Sequence, residues 1–199
     1  MNILIAGATG NTGTRLTREL CERGHTPVAL VRESSDTSAL PEGAQQRIGD
    51  LTDLADDVTD GCHAVVFAAG SGGDTSAEMT DKVDRDGAKR LIDIAAKSGV
   101  DRFVMLSSVG ADNPEPEGKL AHYLKAKHEA DEHLKQSGLD YAILRPVSLT
   151  DEGPTGSVRL GDDVDPKGEA ARGDVAVLLA DAVEQDSWSG AIRLMETVG

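Results

Sequence analysis

Short aliphatic runs alternate along this chain with stretches whose apolar positions recur at helical spacing, and the alternation continues from one end to the other. Candidate strands fall at 3–6, 28–31, 46–49, 64–68, 102–107, 140–145 and 192–195. Most are unbroken runs of Val, Ile, Leu and Ala, the pattern of strands buried on both faces of a parallel sheet. Between them, 14–23 reads as an amphipathic helix. A longer one over 76–98 places Val83, Gly87, Leu91, Ile92, Ala95 and Ala96 on one face and stops at Gly99. Another covers 120–137 and stops at Gly138. From 151 to 172 the pattern dissolves into Gly, Pro and Asp, predicting loop with one short strand at 157–160, before a last helix over 174–184. The expected fold is α/β: a single Rossmann-like doubly wound parallel sheet over residues 1–199, with a small C-terminal substrate region in the loops of 147–172.

Composition narrows the picture. No run approaches the ~20 apolar residues of a membrane span, and no basic segment with an apolar core opens the chain, so a cytoplasmic protein is expected. Cys21 and Cys62 are far apart and read as small buried hydrophobes rather than as a disulfide or zinc pair. Twenty basic against 35 acidic side chains give a net charge of −15, which disfavours nucleic acid and anionic membrane as partners. A small-molecule substrate and a monomer or homodimer are expected instead. An evenly acidic, lysine-poor surface also suits a salt-rich cytoplasm, and a halophilic source is the expectation against an ordinary acidic enzyme. Its test is thermal: the melting temperature of the apo protein should rise from about 0.1 M to about 2 M KCl as carboxylate repulsion is screened and apolar burial strengthens. A flat or falling curve would reduce the acidity to ordinary surface composition.

The first strand runs straight into Gly7-Ala8-Thr9-Gly10-Asn11-Thr12-Gly13. The first glycine allows a tight turn out of the strand, the second removes a Cβ that would block a pyrophosphate, and the third lets the following helix pack closely on the sheet. Free amides at that helix start then face phosphate, so the segment reads as a dinucleotide site. The second strand ends in Arg32, followed by Glu33, Ser34 and Ser35. A guanidinium with nearby hydroxyls matches a 2′-phosphate and favours NADP over NAD, unless Arg32 is a surface residue paired with Glu33. Arg15 is a candidate second cation for the same phosphate.

Asp50 and Leu51, after the third strand, are placed beside the adenine, although Asp50 also suits an N-cap for a helix over 51–58. Ala68, Ala69 and Gly70 follow the fourth strand, where small residues let backbone pass the nicotinamide ribose. Tyr123 and Lys127 are four apart on one helix and share a face, so that the ammonium tunes the phenol and holds that ribose. Ser107 and Ser108 end the fifth strand, where a hydroxyl meets a substrate oxygen. His122 should point roughly 100° away from Tyr123 and lie behind the site. His128, Glu132 and His133 read as helix surface, Asp162, Asp163 and Asp165 lack a calcium-loop spacing, and no metal is expected.

With these motifs in this order, the chain resembles the short-chain dehydrogenase/reductase superfamily over essentially its whole length. It is most similar to the small atypical members described as NAD(P)-binding or NAD-dependent epimerase/dehydratase-like. The matching segments are the glycine loop, Val31-Arg32, Gly49-Asp50, Ser107-Ser108, Tyr123 with Lys127, and residues 140–146. The cofactor half also resembles biliverdin reductase B, a flavin and biliverdin reductase specific for NADPH. The resemblance implies that Ser108 or Ser107 positions a carbonyl, Tyr123 is the acid/base, Lys127 tunes it, and Pro146 and Val147 line the nicotinamide. Biliverdin reductase B-like members do not rely on that tyrosine, and the C-terminal region is too short for the nucleotide-sugar domain of an epimerase. The expected function is therefore an NADP-dependent oxidoreductase acting on a small carbonyl, quinone or flavin-like substrate. The alternative is a non-catalytic NADP(H)-binding sensor or assembly factor like the NmrA-like relatives of this fold.

Overall fold

Unbroken aliphatic strands need apolar cover on both sides, and the fold supplies it. A computed structural model describes residues 1–70, 76–115 and 117–199. Its strands are β1 (Asn2–Ala6), β2 (Thr26–Val31), β3 (Gln45–Ile48), β4 (Ala64–Phe67), β5 (Arg102–Leu106), β6 (Asp140–Pro146), β7 (Ser148–Thr150), β8 (Val158–Leu160), β9 (Glu169–Ala171) and β10 (Ala191–Thr197). Eight of them form one sheet in the order β3-β2-β1-β4-β5-β6-β10-β8, parallel except for β8, which runs antiparallel to β10. The α-helices are α1 (Asn11–Glu22), α2 (Ala77–Thr80), α3 (Ala88–Ser98), α4 (Ala121–Gln136) and α5 (Arg172–Glu184). Among the described residues, no helix is long and apolar enough to cross a membrane.

Alternate residues of each central strand serve opposite cores. Ile3 and Ile5 pack with Leu16 and Leu20 of α1 and Leu179 of α5. Leu4 and Ala6 pack with Leu91 and Ile92 of α3 and Leu134 of α4. The strand order reverses direction between β1 and β4, which opens a crevice beyond their C-terminal ends. A parallel α/β sheet presents its ligand site at that place.

Four expectations need correction. The stretch from 76 to 98 is not one regular helix: Ser76 caps α2 by accepting the Met79 amide at 3.2 Å, a π-helical segment covers Asp81–Gly87, and only then does α3 begin. Within α3, Leu91, Ile92 and Ala95 are buried as expected, while Ile94 is buried and Ala96 exposed. The C-terminal region contains β7 and β9 as well as β8, and β7 pairs with β9 in parallel, Thr150 opposite Ala171. Strands of three residues carry no period of their own; they exist here through non-local pairing. No helix forms over 51–58. Asp50 instead accepts the Thr52 amide and hydroxyl, both at 2.8 Å, in a local turn. Cys21 and Cys62 are free and half-buried rather than core residues.

Candidate active site

A cavity of about 980 Å³ lies over the β1–β4 crevice, at the upper end of ordinary small-molecule sites. Its floor is the glycine loop. Gly7 turns with φ +86°, and a Cβ there would meet the Ala69 amide nitrogen at 2.6 Å, so the chain passes between β1 and the 68–70 strip only with glycine. A Cβ on Gly13 would sit 2.0 Å from the Gly7 carbonyl oxygen; its absence seats α1 on the loop, as the sequence implied. Gly13 itself is not among the cavity-lining residues, whereas Gly7, Thr9, Gly10, Asn11 and Thr12 are. Gly10 caps α1 without a side-chain hydrogen bond and no acid occupies the first turn, so the helix start faces the cavity as bare backbone. These features fit the diphosphate of an NAD(P) molecule.

At one end of the cavity stand Arg32, Ser35, Asp50 and Leu51. The Ser35 hydroxyl accepts the Arg32 amide at 3.0 Å, which fixes the turn after β2. Arg32 is exposed and, among the described residues, forms no ion pair with Glu33. The Thr52 amide, then its hydroxyl and the field of Arg32, hold the Asp50 carboxyl below its ordinary range. Ala68, Ala69 and Gly70 line the wall above β4.

Tyr123 and Lys127 lie at the other end, on α4. The Lys127 ammonium is buried and sits 5.7 Å from the centroids of both the Tyr123 and Phe67 rings. It donates to the Leu106 and Ala69 carbonyls at 3.3 and 3.4 Å and pairs with the Asp84 carboxylate at 3.3 Å. Burial works against its charge, but Tyr123, Asp84 and Asp131 together outweigh burial and raise its pKa. Asp84 is delivered by the π-helical segment and is fully buried. A second buried group lies behind: one Asp131 oxygen accepts from the Ser107 hydroxyl at 2.8 Å and from Arg145 at 2.9 and 3.1 Å. Burial pushes the Asp131 carboxyl up against the lowering pull of Arg145, Ser107 and Lys127. Its other oxygen is buried with no hydrogen-bond partner among the described residues.

Several sequence candidates lie elsewhere. Ser107 lines the cavity with its hydroxyl anchored on Asp131, while Ser108 does not line it and donates to the Val109 carbonyl at 3.3 Å. Pro146 and Val147 are buried outside the lining, with the Val147 amide bonded to Met195 of β10; Leu149, on β7, takes the place at the cavity wall. Arg15 reaches not toward Arg32 but across α1, to the Asn11 and Asp151 carbonyls at 2.7 and 2.6 Å. His122 lines the cavity mouth and contacts the Ala77 carbonyl and Asp81 at 3.2 and 2.9 Å, because the mouth wraps around the first turn of α4. Asp84, Asp131 and Arg172 were missed. A lone Asp or Arg in a polar stretch gives no signal until pairing brings it to the site. Among the described residues, no cluster of His, Cys, Asp or Glu has the arrangement of a metal centre.

Glycine loop, switch-point cavity and doubly wound sheet together define a Rossmann NAD(P)-binding protein. The chain belongs to the NAD(P)H-binding family, whose model matches residues 7–186. It is 36% identical to a Bacillus subtilis protein named uncharacterized sugar epimerase YhfK, over 98% of this chain and 94% of that one. A solved structure from Bacillus halodurans, named as a candidate NAD-dependent epimerase/dehydratase, superposes with a TM-score of 0.93 at 37% identity. That match covers 100% of this chain and 94% of the other. The anaerobilin reductase ChuY of Escherichia coli O157:H7 shares the fold, with a TM-score of 0.81 at 23% identity over 99% of this chain and 97% of that one.

Proposed function

We propose that the protein is an NADP-dependent oxidoreductase acting on a small carbonyl, quinone or flavin-like substrate. One observation carries this reading: Tyr123 and the buried Lys127 line the same cavity as the glycine loop and Arg32. A bound nicotinamide would supply the hydride for reduction of the substrate. Tyr123 gives the proton as negative charge develops on the substrate oxygen, since an alkoxide left unneutralised in a dry site is costly. Lys127, fixed by Asp84 and two carbonyls, places a positive charge beside the phenol without needing to reorient. Ser107, anchored by Asp131, offers its oxygen at the cavity wall.

The exposed Arg32 guanidinium supports NADP over NAD, because a 2′-phosphate gives it a charge-assisted partner. Arg32→Asp should weaken NADPH binding roughly 10- to 100-fold and move preference toward NADH, read by fluorescence titration of both cofactors. An unchanged NADPH/NADH ratio would place Arg32 outside the phosphate site. The reaction itself is tested by NADPH consumption with a panel of carbonyls, quinones and flavins. A second reading, a non-catalytic NADP(H) sensor or assembly factor, is favoured by the small C-terminal contribution to the cavity: Leu149 and Arg172 alone come from beyond α4 among its described lining residues.

A further inference from the structure

Beyond the glycine loop, the best-defined polar cluster at the dinucleotide site is built by the C-terminal region. The parallel register of β7 and β9, Thr150 opposite Ala171, brings the next residues, Asp151 and Arg172, side by side. One Asp151 oxygen accepts from both the Arg172 guanidinium at 2.9 Å and the Asn11 amide group at 3.3 Å. Arg15 ties the same corner together by donating to the Asp151 and Asn11 carbonyls. Arg172 is therefore held beside the first residue of α1, and both Asn11 and Arg172 line the cavity.

We propose that Arg172 is a diphosphate-binding residue, delivered from the C-terminal region to the start of α1 and aimed there by Asp151. Arg172 is also the first residue of α5, a place where a cation opposes the helix dipole and where Asp151 beside it and Asp174 in the first turn supply the negative charge. Its bond to Asp151 engages one of five N–H donors, and the planar fork leaves others for phosphate oxygens. Elsewhere in the cavity, Arg32 stands at the end with Asp50, the exposed Lys119 lies just before α4 near Tyr123, and Lys127 is matched by Asp84. Arg15, the cation that the sequence suggested near this helix, is occupied by two carbonyls. The diphosphate thus meets the bare start of α1 on one side and Arg172 on the other. Dinucleotide binding would thereby engage the segment that also carries Leu149 to the cavity.

This inference rests on the dinucleotide site and not on the reaction proposed above. Equilibrium binding of NADPH and of adenosine 2′-monophosphate, which lacks the diphosphate, separates the two cationic ends. Arg172→Gln should weaken NADPH about tenfold or more and leave adenosine 2′-monophosphate within about twofold, whereas Arg32→Asp should weaken both. Arg172→Lys should fall between wild type and Arg172→Gln, because charge is kept and the fork is lost. NADPH binding by Arg172→Gln should also lose part of its salt dependence. Unchanged NADPH affinity in Arg172→Gln, or equal losses for both ligands, would overturn the assignment. A wild type that takes NADH in place of NADPH would refute the NADP reading alone; Arg172→Gln should then weaken NADH by the same factor, and unchanged NADH affinity would overturn the assignment.

Discussion

Replacing Tyr123 by Phe should lower turnover by about 100-fold or more while leaving NADPH affinity nearly unchanged. The substitution removes one oxygen from the cavity wall and keeps the ring beside the Lys127 ammonium, so packing and the buried pair stay in place. What disappears is the proton donor, whose contribution belongs to the transition state. The loss should therefore fall on kcat, and equally on kcat/KM, with little change in cofactor binding. Steady-state kinetics with one accepted substrate and a parallel NADPH titration measure both quantities. Full activity in the variant would remove the tyrosine mechanism and leave direct hydride delivery with a proton from solvent.

The second large effect concerns stability. Lys127→Met takes the ammonium from beside the fully buried Asp84 carboxylate and from the neighbourhood of Asp131, so the buried Lys127–Asp84 ion pair is broken from one side. Breaking a buried ion pair from one side typically costs ~3–5 kcal/mol, and for a chain of this size the melting temperature should fall by on the order of 10 °C. Adding Asp84→Asn should restore part of the loss, since an amide tolerates the methionine better than a carboxylate does. Denaturant melts of the two single variants and the double variant complete the cycle. A stable Lys127→Met protein would show that Asp84 is held chiefly by other contacts.

The parts of this molecule legible in its sequence are those set by local pattern. Strands buried on both faces leave unbroken aliphatic runs, and β1, β2, β4, β5 and β6 stand where those runs fall. Gly7 and Gly13 are legible because their places allow no side chain, and the Tyr123–Lys127 spacing survives because both sit on one regular helix. What escaped depends on irregular or distant geometry. The π-helical segment adds residues to a turn without interrupting the helical pattern, and it carries Asp84 at its buried position. The displacement of Pro146 and Val147 by Leu149, and the approach of Arg172 to Asn11, follow from the pairing of β7 with β9, which three-residue segments do not announce. His122 was misplaced for another reason: the angle on the helix was right, but the cavity mouth is wide enough to include both neighbours.

The most direct test of the account is multiple-turnover consumption of NADPH by the purified protein, followed against carbonyl, quinone and flavin acceptors beside an NADPH binding titration. The account predicts saturable, sustained consumption with at least one acceptor class, lowered about 100-fold in Tyr123→Phe. Tight NADPH binding with no consumption by any acceptor would contradict it and leave the cavity to a sensor that holds the cofactor without using it.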